Sequence, residues 1–349
     1  MNAQIRRARL RGTREAERIL KILDVRPRLS STDERVDVFD ALAWLDVHVI
    51  FRPLQGLLGA YMRGAQPGAM ISTNRPLSVQ RFTAAHELGH AILEHEPSLD
   101  SPDVLRRAAS DQFRPKMNGF ASYLQEIEAD AFASAFLLPM WLITHHARRQ
   151  NWSRSSLSVP ETVYQLSLRC GASFQATVWA LDRNQIISTD NRVTLLGIKP
   201  KEIKGRLGHR PPAVKTRADA WNLTLGDTAG TIPIAVGDSV TVSLTQESGG
   251  GYLWRSLQTP EAFKELDRST LIEAPQIGGA SLRSVLLRAD AAGNFELAFE
   301  HRRPWEQDAI ANAHFPICVS EPELGLSRAN RRRMLDQAQL RRRSDSSHV

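Results

Sequence analysis

The chain contains 349 residues, of which 42% are hydrophobic and 24% are charged. These proportions are close to the globular average and exclude a wholly disordered or fibrous chain. The two cysteines, Cys170 and Cys318, are too few for a disulfide scaffold, so we expect two buried thiols and a cytoplasmic protein. Because no apolar run has the length of a signal peptide or a membrane span, we also expect no contact with a membrane.

The net charge of +7 comes from the two ends of the chain. Residues 1–14 carry five arginines and no acid, and residues 328–343 carry seven arginines and one aspartate. Taking these +11 charges from the total of +7 leaves −4 on residues 15–327. The body of the protein therefore lacks a broad positive face for nucleic acid, and we expect at most a weak contact with nucleic acid through the arginine-rich C-terminal tail.

Helical spacing of apolar residues dominates the first part of the chain. In chain order the predicted elements are two helices that lead into a strand over residues 47–51, a strand over residues 68–72, a long helix after Ser78 and a second long helix from about Tyr123 until Pro139. Residues 160–183 have a helix-turn-helix pattern with a glycine turn at Gly171. Its second helix carries one basic residue, so we expect it to pack or to dock a partner rather than to read DNA.

From residue 219 the pattern changes to alternating apolar stretches separated by glycine-rich turns, which is typical of an all-β domain. The sequence thus predicts a multidomain α+β protein in which a helix-rich domain precedes an all-β sandwich. The predicted divisions are a basic N-terminal tail (1–12), the helix-rich domain (13–198), a linker (199–218), the sandwich (219–320) and an arginine-rich C-terminal tail (321–349).

Candidate metal ligands lie in the first long helix, in the run His86-Glu87-Leu88-Gly89-His90. Positions i and i+4 share a helix face, so both imidazoles point at one ion. Imidazole nitrogens suit Zn²⁺, which in catalytic sites takes three protein ligands and leaves a fourth position for water. Glu87 is then the candidate general base for that water. We expect one zinc ion per chain, with another divalent metal as the alternative.

The second long helix offers the third ligand. Glu126 and Asp130 are again i and i+4, so we expect Glu126 to bind the ion and Asp130 to fix one histidine ring through its other nitrogen. Glu128 points about 200° away from Glu126 by helical geometry, and we reject it as a ligand. His95 is interpreted as structural, and the pair His145-His146 is expected at the surface.

The run His86–His90, the segment Glu126–Ala133 and the closing Leu137–Met140 together resemble the ImmA/IrrE family of metallo-endopeptidases. The resemblance covers roughly residues 13–200. It implies a gluzincin-like fold, in which His86, His90 and Glu126 are the zinc ligands and Glu87 is the base. It also implies that the substrate is a helix-turn-helix transcriptional repressor, which is cut in a stress or mobile-element response.

Three segments of the predicted sandwich stand where a strand ends in a loop. They are a glycine-rich turn followed by two aromatics, a Gly-Gly turn and a Pro-Trp tip, and ordinary sandwich turns have the same features. The candidate partner-binding residues in these loops are Gly250, Gly251, Tyr252, Gly278, Gly279, Arg303, Pro304 and Trp305. From period-2 geometry we expect Trp254 in the core and Trp305, at the proline-led tip, exposed.

The order and spacing of these loops resemble the chagasin-like family of cysteine-protease inhibitors, over about residues 219–320. This resemblance implies an immunoglobulin-like sandwich that presents three loops at one end. In the first loop, Glu247-Ser248-Gly249-Gly250 stands where the family has Asn-Pro-Thr-Thr. The missing proline and threonines make that loop more flexible and remove the groups that the family inserts into a protease cleft. The fold is therefore implied more firmly than inhibition.

Three functions of different classes remain open at this point. The leading hypothesis is a zinc endopeptidase with an appended sandwich that recognises a partner or regulates the site. The second is a binding protein, a chagasin-type cysteine-protease inhibitor whose metal domain is not catalytic, but the intact Glu87 argues against it. The third is a DNA-binding regulator, which the acidic body disfavours.

Overall fold

A computed structural model describes residues 3–28, 34–100, 120–208, 218–246, 248–272 and 281–321. The first part contains α1 (Ala3–Ile22), α2 (Val25–Arg28), α3 (Val38–Trp44), β1 (His48–Arg52), β2 (Gly59–Met62), β3 (Gly68–Ser72), α4 (Leu77–Ile92), β4 (Ser98–Asp100), α5 (Phe120–Leu137), α6 (Met140–Arg149), α7 (Pro160–Cys170), α8 (Phe174–Arg183), α9 (Thr189–Leu196) and α10 (Pro200–Arg206). The second part contains β5 (Ala220–Leu223), β6 (Ile232–Ala235), β7 (Ser239–Gln246), β8 (Leu253–Gln258), β9 (Phe263–Ile272), β10 (Ser281–Ala289), β11 (Gly293–Arg302) and β12 (Ala311–Ser320).

Helix α1 begins inside the segment that the sequence analysis set apart as a basic tail over residues 1–12. Its buried residues recur at helical spacing and form one face, which packs against α5: Ala8, Gly12, Ala16, Ile19 and Leu20. A Cβ atom on Gly12 would lie 2.1 Å from the backbone oxygen of Glu128, so only glycine permits this approach. Of the five arginines that suggested a tail, Arg6, Arg7, Arg11 and Arg14 are exposed and Arg9 is half-buried.

A small mixed sheet supports the two long helices. Its strand order is β1-β3-β2-β4, with β1 parallel to β3 and the other neighbours antiparallel. Helix α4 packs between this sheet and α5, and every residue from Gln80 to His90 is buried. Such an all-round buried helix carries polar side chains only where partners satisfy them. The buried polar residues of α4 are therefore candidate members of a functional site.

The helix-turn-helix pattern is formed by α7 and α8. Gly171 ends α7 in the left-handed conformation, with φ of 65°, and Ser173 caps α8 by accepting a hydrogen bond from the backbone nitrogen of Ala176. Most of α8 is buried, including Val178 and Trp179. A helix buried in this way cannot lie in a DNA groove, which supports the expectation of a packing unit.

The predicted linker over residues 199–218 is wrong in its first part. Residues 200–206 form α10, whose Ile203 is fully buried in the helical core. Residues 209–217 lie outside the described residues. The sandwich then begins at β5, whose Ala220 belongs to the same hydrophobic cluster as the helical domain.

Polar contacts join α7 to the start of the sandwich. The side chain of Gln165 donates to the backbone oxygen of Ala220 and accepts from the backbone nitrogen of Asn222, at 2.7 and 2.8 Å. Arg169 donates to both carboxylate oxygens of Asp227, at 3.0 and 2.8 Å, and this pair is buried. Both charged groups are thus removed from water and paired with each other. Together with the hydrogen bonds of Gln165, this ion pair joins the two domains through α7.

The second domain is a sandwich of two four-stranded sheets, with strand orders β5-β7-β10-β9 and β6-β12-β11-β8. The alternating stretches at residues 239–244, 282–287 and 295–299 lie in β7, β10 and β11, as predicted. Side chains from both inner faces form a separate hydrophobic cluster that includes Trp254 and Phe315. The predicted class, a helix-rich domain followed by a β-sandwich, is confirmed.

In the described part of the chain, the stretch Ser122–Arg149 is long enough and apolar enough to cross a membrane, contrary to the sequence expectation. However, 78% of the most apolar 18-residue segment of this stretch is buried inside the protein, so the stretch is weak evidence for a membrane span. The expectation that both thiols are buried is also wrong in part, since Cys170 is buried and Cys318 is exposed.

Candidate metal centre

Helix α4 presents His86 and His90 toward α5 because the two helices approach closely. A Cβ atom on Gly89 would lie 3.2 Å from the Cα atom of Ala129 and 3.1 Å from the Cβ atom of Phe132. A larger residue in place of Gly89 or Ala129 would hold the two helices apart. Small residues at the crossing thus place the histidines of α4 beside the carboxylates of α5.

Two imidazoles and one carboxylate converge at this crossing. The Nε2 atoms of His86 and His90 are 3.0 Å apart, and they lie 3.5 and 3.6 Å from the two carboxylate oxygens of Glu126. All three side chains are buried. Glu87 lies beside them on α4 and has no exposed surface. The structure therefore brings together the predicted ligands and the predicted base.

The donor set and its spacing fit a zinc ion. Ligand atoms at about 2.0–2.1 Å from Zn²⁺ in a tetrahedron stand roughly 3.3 Å from one another, close to the separations found here. Two histidines and one glutamate also form a known ligand set of catalytic zinc sites. His86, His90 and Glu126 would hold the ion, and they leave a fourth position for water.

An aspartate lies beside the first histidine. Oδ1 of Asp130, which stands one helical turn after Glu126, lies 3.0 Å from Nδ1 of His86. This contact leaves Nε2 of His86 directed at the other ligand atoms. Glu128, the rejected ligand, instead contacts His95, with 2.9 Å between its Oε2 and the histidine Nε2. His95 is buried and reaches His90, a contact that spacing alone did not indicate.

Sequence reasoning did not single out two residues of β2 that lie against the site. A Cβ atom on Gly59 would lie only 2.3 Å from Oε1 of Glu87, so the strand passes directly over the carboxylate. The ring of Tyr61 stacks on His90 with 5.9 Å between ring centroids. Burial, reinforced by Glu94 and Glu96, raises the pKa of Tyr61 above its usual range, so Tyr61 carries its proton. The isolated Gly-Ala-Tyr sequence gave no local signal for either role.

A second histidine cluster contradicts the expectation of a surface position for His146, whereas the side chain of His145 is 39% exposed. His146 is buried, and both rings approach Glu34, with ligand atoms within 4.8 Å of one another. Arg149, however, forms an ion pair with Glu34. Burial, helped by the cation of Arg169, lowers the pKa of His146 to about 3. Because neighbouring guanidinium groups oppose a further cation, the first cluster is the better metal site.

One end of the sandwich carries the predicted loop residues. Nε of Arg303 donates to the backbone oxygen of Gly250 at 2.8 Å, and its guanidinium lies 4.3 Å from the ring centroid of Tyr252. The expectation for the two tryptophans is confirmed, since Trp254 is 4% exposed and Trp305 is 72% exposed. Gly251 has φ of 78° and contacts Trp305, whereas Pro304 connects Arg303 and Trp305 at the tip.

The first and third predicted loops therefore meet at one end. Gly278 and Gly279, and with them the second loop, lie outside the described residues.

Comparison with known proteins gives one family match in each domain. Residues 44–181 match the model of the IrrE N-terminal-like domain, peptidase family M78, and residues 233–319 match that of the chagasin family of peptidase inhibitors, I42. Both resemblances inferred from the sequence are confirmed. The chain thus combines a segment that matches a peptidase family with a β-sandwich that resembles the chagasin-like inhibitors. No curated protein gives a significant match to the chain.

Three solved structures align with about a third of this chain. The cysteine protease inhibitor EhICP2 from Entamoeba histolytica is 19% identical and aligns over 30% of this chain and 98% of its own, with a TM-score of 0.28. Amebosin is 20% identical over 30% of this chain and 98% of its own, with a TM-score of 0.26. PbICP-C, solved in complex with falcipain-2, is 17% identical over 32% of this chain and 95% of its own, with a TM-score of 0.20.

Proposed function

We propose that this chain is a zinc-dependent endopeptidase. The observation that carries the proposal is the convergence of His86, His90 and Glu126 in a buried site, with Glu87 on the same helix. The match of residues 44–181 to a peptidase family supports the same chemistry. A structural zinc site would be closed by a fourth protein ligand, whereas three protein ligands leave a position for water.

Each residue of the site has a distinct role in peptide hydrolysis. A bound zinc ion supplies Lewis-acid chemistry at the position that its three protein ligands leave open. The carboxylate of Glu87 accepts a proton from the attacking water and returns it to the nitrogen of the leaving peptide. Asp130 holds the ring of His86, and Gly59 leaves room for the carboxylate of Glu87.

The proposed substrate is a helix-turn-helix transcriptional repressor, whose cleavage relieves repression in a stress or mobile-element response. This assignment comes from the family resemblance, and we propose a cytoplasmic location because such repressors act there. A repressor gene beside the gene of this protein would nominate the first candidate to test.

The β-sandwich is proposed to recognise a protein partner through the end that bears Tyr252, Arg303 and Trp305. Loops fixed by a rigid sandwich are favoured binding positions, and aromatics and arginine dominate interface energies. Inhibition of a cysteine protease is the second candidate, which the match of residues 233–319 favours. The substituted first loop argues against it, because the proline and threonines that enter a protease cleft are missing.

The arginine-rich tail is proposed to make a weak, salt-sensitive contact with DNA or RNA, which keeps the enzyme near a DNA-bound repressor. This tail lies outside the described residues, so the proposal rests on its charge. Deleting residues 328–349 should weaken retention on a DNA column at low salt without changing cleavage of free repressor. Retention that is unchanged by the deletion would overturn this part of the proposal.

Cleavage of a candidate repressor by the Glu87→Gln variant tests the proposed enzyme. The substitution removes the base but keeps the ligands, so the variant should bind metal as the wild type does and cleave at least 100-fold more slowly, in the range of general-base effects of about 10²–10⁴. If the metal-loaded wild type and Glu87→Gln are equally inactive on every candidate repressor, or equally active, the peptidase proposal is wrong.

A further inference from the structure

In each predicted ligand histidine, Nε2 faces the metal position and Nδ1 faces away from it. From each Nδ1, a contact or a short series of contacts leads to an acidic side chain. For His86 the contact is direct, since Nδ1 lies 3.0 Å from Oδ1 of Asp130. For His90 it runs through another histidine: Nδ1 of His90 lies 2.9 Å from Nδ1 of His95. Nε2 of His95 then lies 2.9 Å from Oε2 of Glu128. The two ligands are therefore held by chains of different length.

The positions of the protons in the longer chain follow from the role of His90. Its Nε2 faces His86 and Glu126 and must carry a lone pair to bind an ion, so its proton is on Nδ1. Nδ1 of His90 therefore donates to Nδ1 of His95. His95 in turn keeps its proton on Nε2 and donates it to the carboxylate of Glu128, which accepts. Every nitrogen of the two rings has one defined task.

Helix α1 holds the far end of this chain. Nη1 of Arg11 donates to Oε2 of Glu128 at 2.8 Å. At the next position of α1, Gly12 allows the backbone to approach the carbonyl of Glu128 so closely that a Cβ atom would lie 2.1 Å from it. Both the backbone and the side chain of Glu128 are thus fixed by α1. His95 and Glu128 are buried, whereas the Arg11 side chain is half exposed.

We propose that His95 and Glu128 are positioning residues for the metal ligand His90, and that Arg11 of α1 orients Glu128. The inference rests on the proposed metal centre but concerns residues that do not themselves bind the ion. It gives α1 a part in the site, since removing its contact with Glu128 loosens the last member of the chain. Loss of an outer hydrogen-bond partner of this type costs about 10- to 100-fold in metal affinity.

The test measures the zinc Kd of the full-length protein by competition with a chelator, together with the visible spectrum of the Co²⁺-loaded protein. His95→Phe and Glu128→Met should each raise the Kd about 10- to 100-fold and alter the Co²⁺ spectrum. Arg11→Met should have a smaller effect, because its side chain is half exposed. The matched control is His314→Phe, which removes an exposed histidine that pairs with Glu296 at 3.0 Å and should leave the Kd unchanged.

A double variant separates positioning from a general loss of structure. If His95 and Glu128 act as one chain, His95→Phe/Glu128→Met should bind zinc no more weakly than His95→Phe alone, whereas independent effects would add. The melting temperature of the metal-free protein should fall much less than the metal affinity does. Where His95→Phe does not fold, Glu128→Met alone decides by the same two measurements.

The outcomes distinguish this inference from the proposed function. A wild type that binds no zinc, or whose zinc binding survives Glu126→Gln, overturns the metal centre and the inference with it. A wild type that binds zinc at the site while His95→Phe and Glu128→Met change the Kd less than twofold overturns the inference alone.

Discussion

Gly59→Ala is expected to slow the proposed enzyme strongly without removing its metal. The added Cβ atom would lie 2.3 Å from Oε1 of Glu87 and 2.5 Å from Cγ2 of Thr83. Cβ atoms essentially never come within 3.0 Å of a non-bonded heavy atom of another residue, so the carboxylate or the strand must move by at least 0.7 Å, the difference between 3.0 and 2.3 Å. The nearest atoms include no atom of His86, His90 or Glu126.

A displacement of this size is large for Glu87 as the proposed general base. Misplacement of a catalytic group by about 1 Å can lower the rate about 100-fold, so we expect kcat to fall by about 10- to 100-fold. The zinc Kd should stay within about threefold of the wild-type value, because the ligand atoms are not displaced.

The assay compares steady-state cleavage of a candidate repressor by zinc-loaded wild type and variant. Gly205→Ala is the matched control, since no neighbouring atom lies within 4 Å of its added Cβ and Gly205 is an exposed position of helix α10. In a helix this change should be neutral or stabilise by up to about 1 kcal/mol. Full activity of Gly59→Ala, or loss of its metal, would refute the assignment of Gly59 as the residue that makes room for Glu87.

Three further predictions concern the domain interface, the sandwich loops and pH. Arg169→Met leaves Asp227 buried without its cation and should lower the free energy of unfolding by about 3–5 kcal/mol in urea titrations. The control Arg206→Met removes an exposed ion pair and should change this free energy by less than about 1 kcal/mol. Equal effects of the two substitutions would contradict the buried contact between the domains. Trp305→Ala should leave the melting temperature and zinc content unchanged but weaken capture of the partner at least tenfold, and unaltered capture would count against this end of the sandwich. Burial lowers the pKa of His146 from 6.5 to about 3 in the folded protein, so between these pH values only the unfolded chain takes up this proton. The free energy of unfolding should therefore decrease by about 1.4 kcal/mol for each pH unit of acidification in this range. His146→Gln should lose this part of the dependence, and parallel pH profiles for wild type and variant would show that the residue does not contribute.

Local spacing was sufficient to predict one part of the candidate site. The two histidines of α4 and the carboxylates of α5 follow from i and i+4 periodicity, which helical geometry fixes without knowledge of the rest of the fold. The interpretation of Trp305 and Trp254 likewise needed only strand alternation and a proline-led turn. These features depend on residues close in sequence.

The remaining parts depend on contacts between distant segments. Gly59 faces Glu87 only because β2 crosses α4, and Arg11 reaches Glu128 only because α1 packs on α5. A run of arginines suggested a solvated tail, but small and apolar residues at helical spacing in the same helix form a buried face. His146 was misassigned because the helix after Pro139 is covered by the segment at Glu34.

The most direct test of the account is the position of the metal in crystals of the zinc-loaded protein, from anomalous differences at the zinc absorption edge. We predict one strong peak at about 2.0–2.1 Å from Nε2 of His86 and Nε2 of His90 and bonded to a carboxylate oxygen of Glu126. The Glu126→Gln variant should lose this peak or show it much weaker. A zinc-loaded crystal with no peak at this site, or with its peak at His145 and His146 instead, would contradict the central claim.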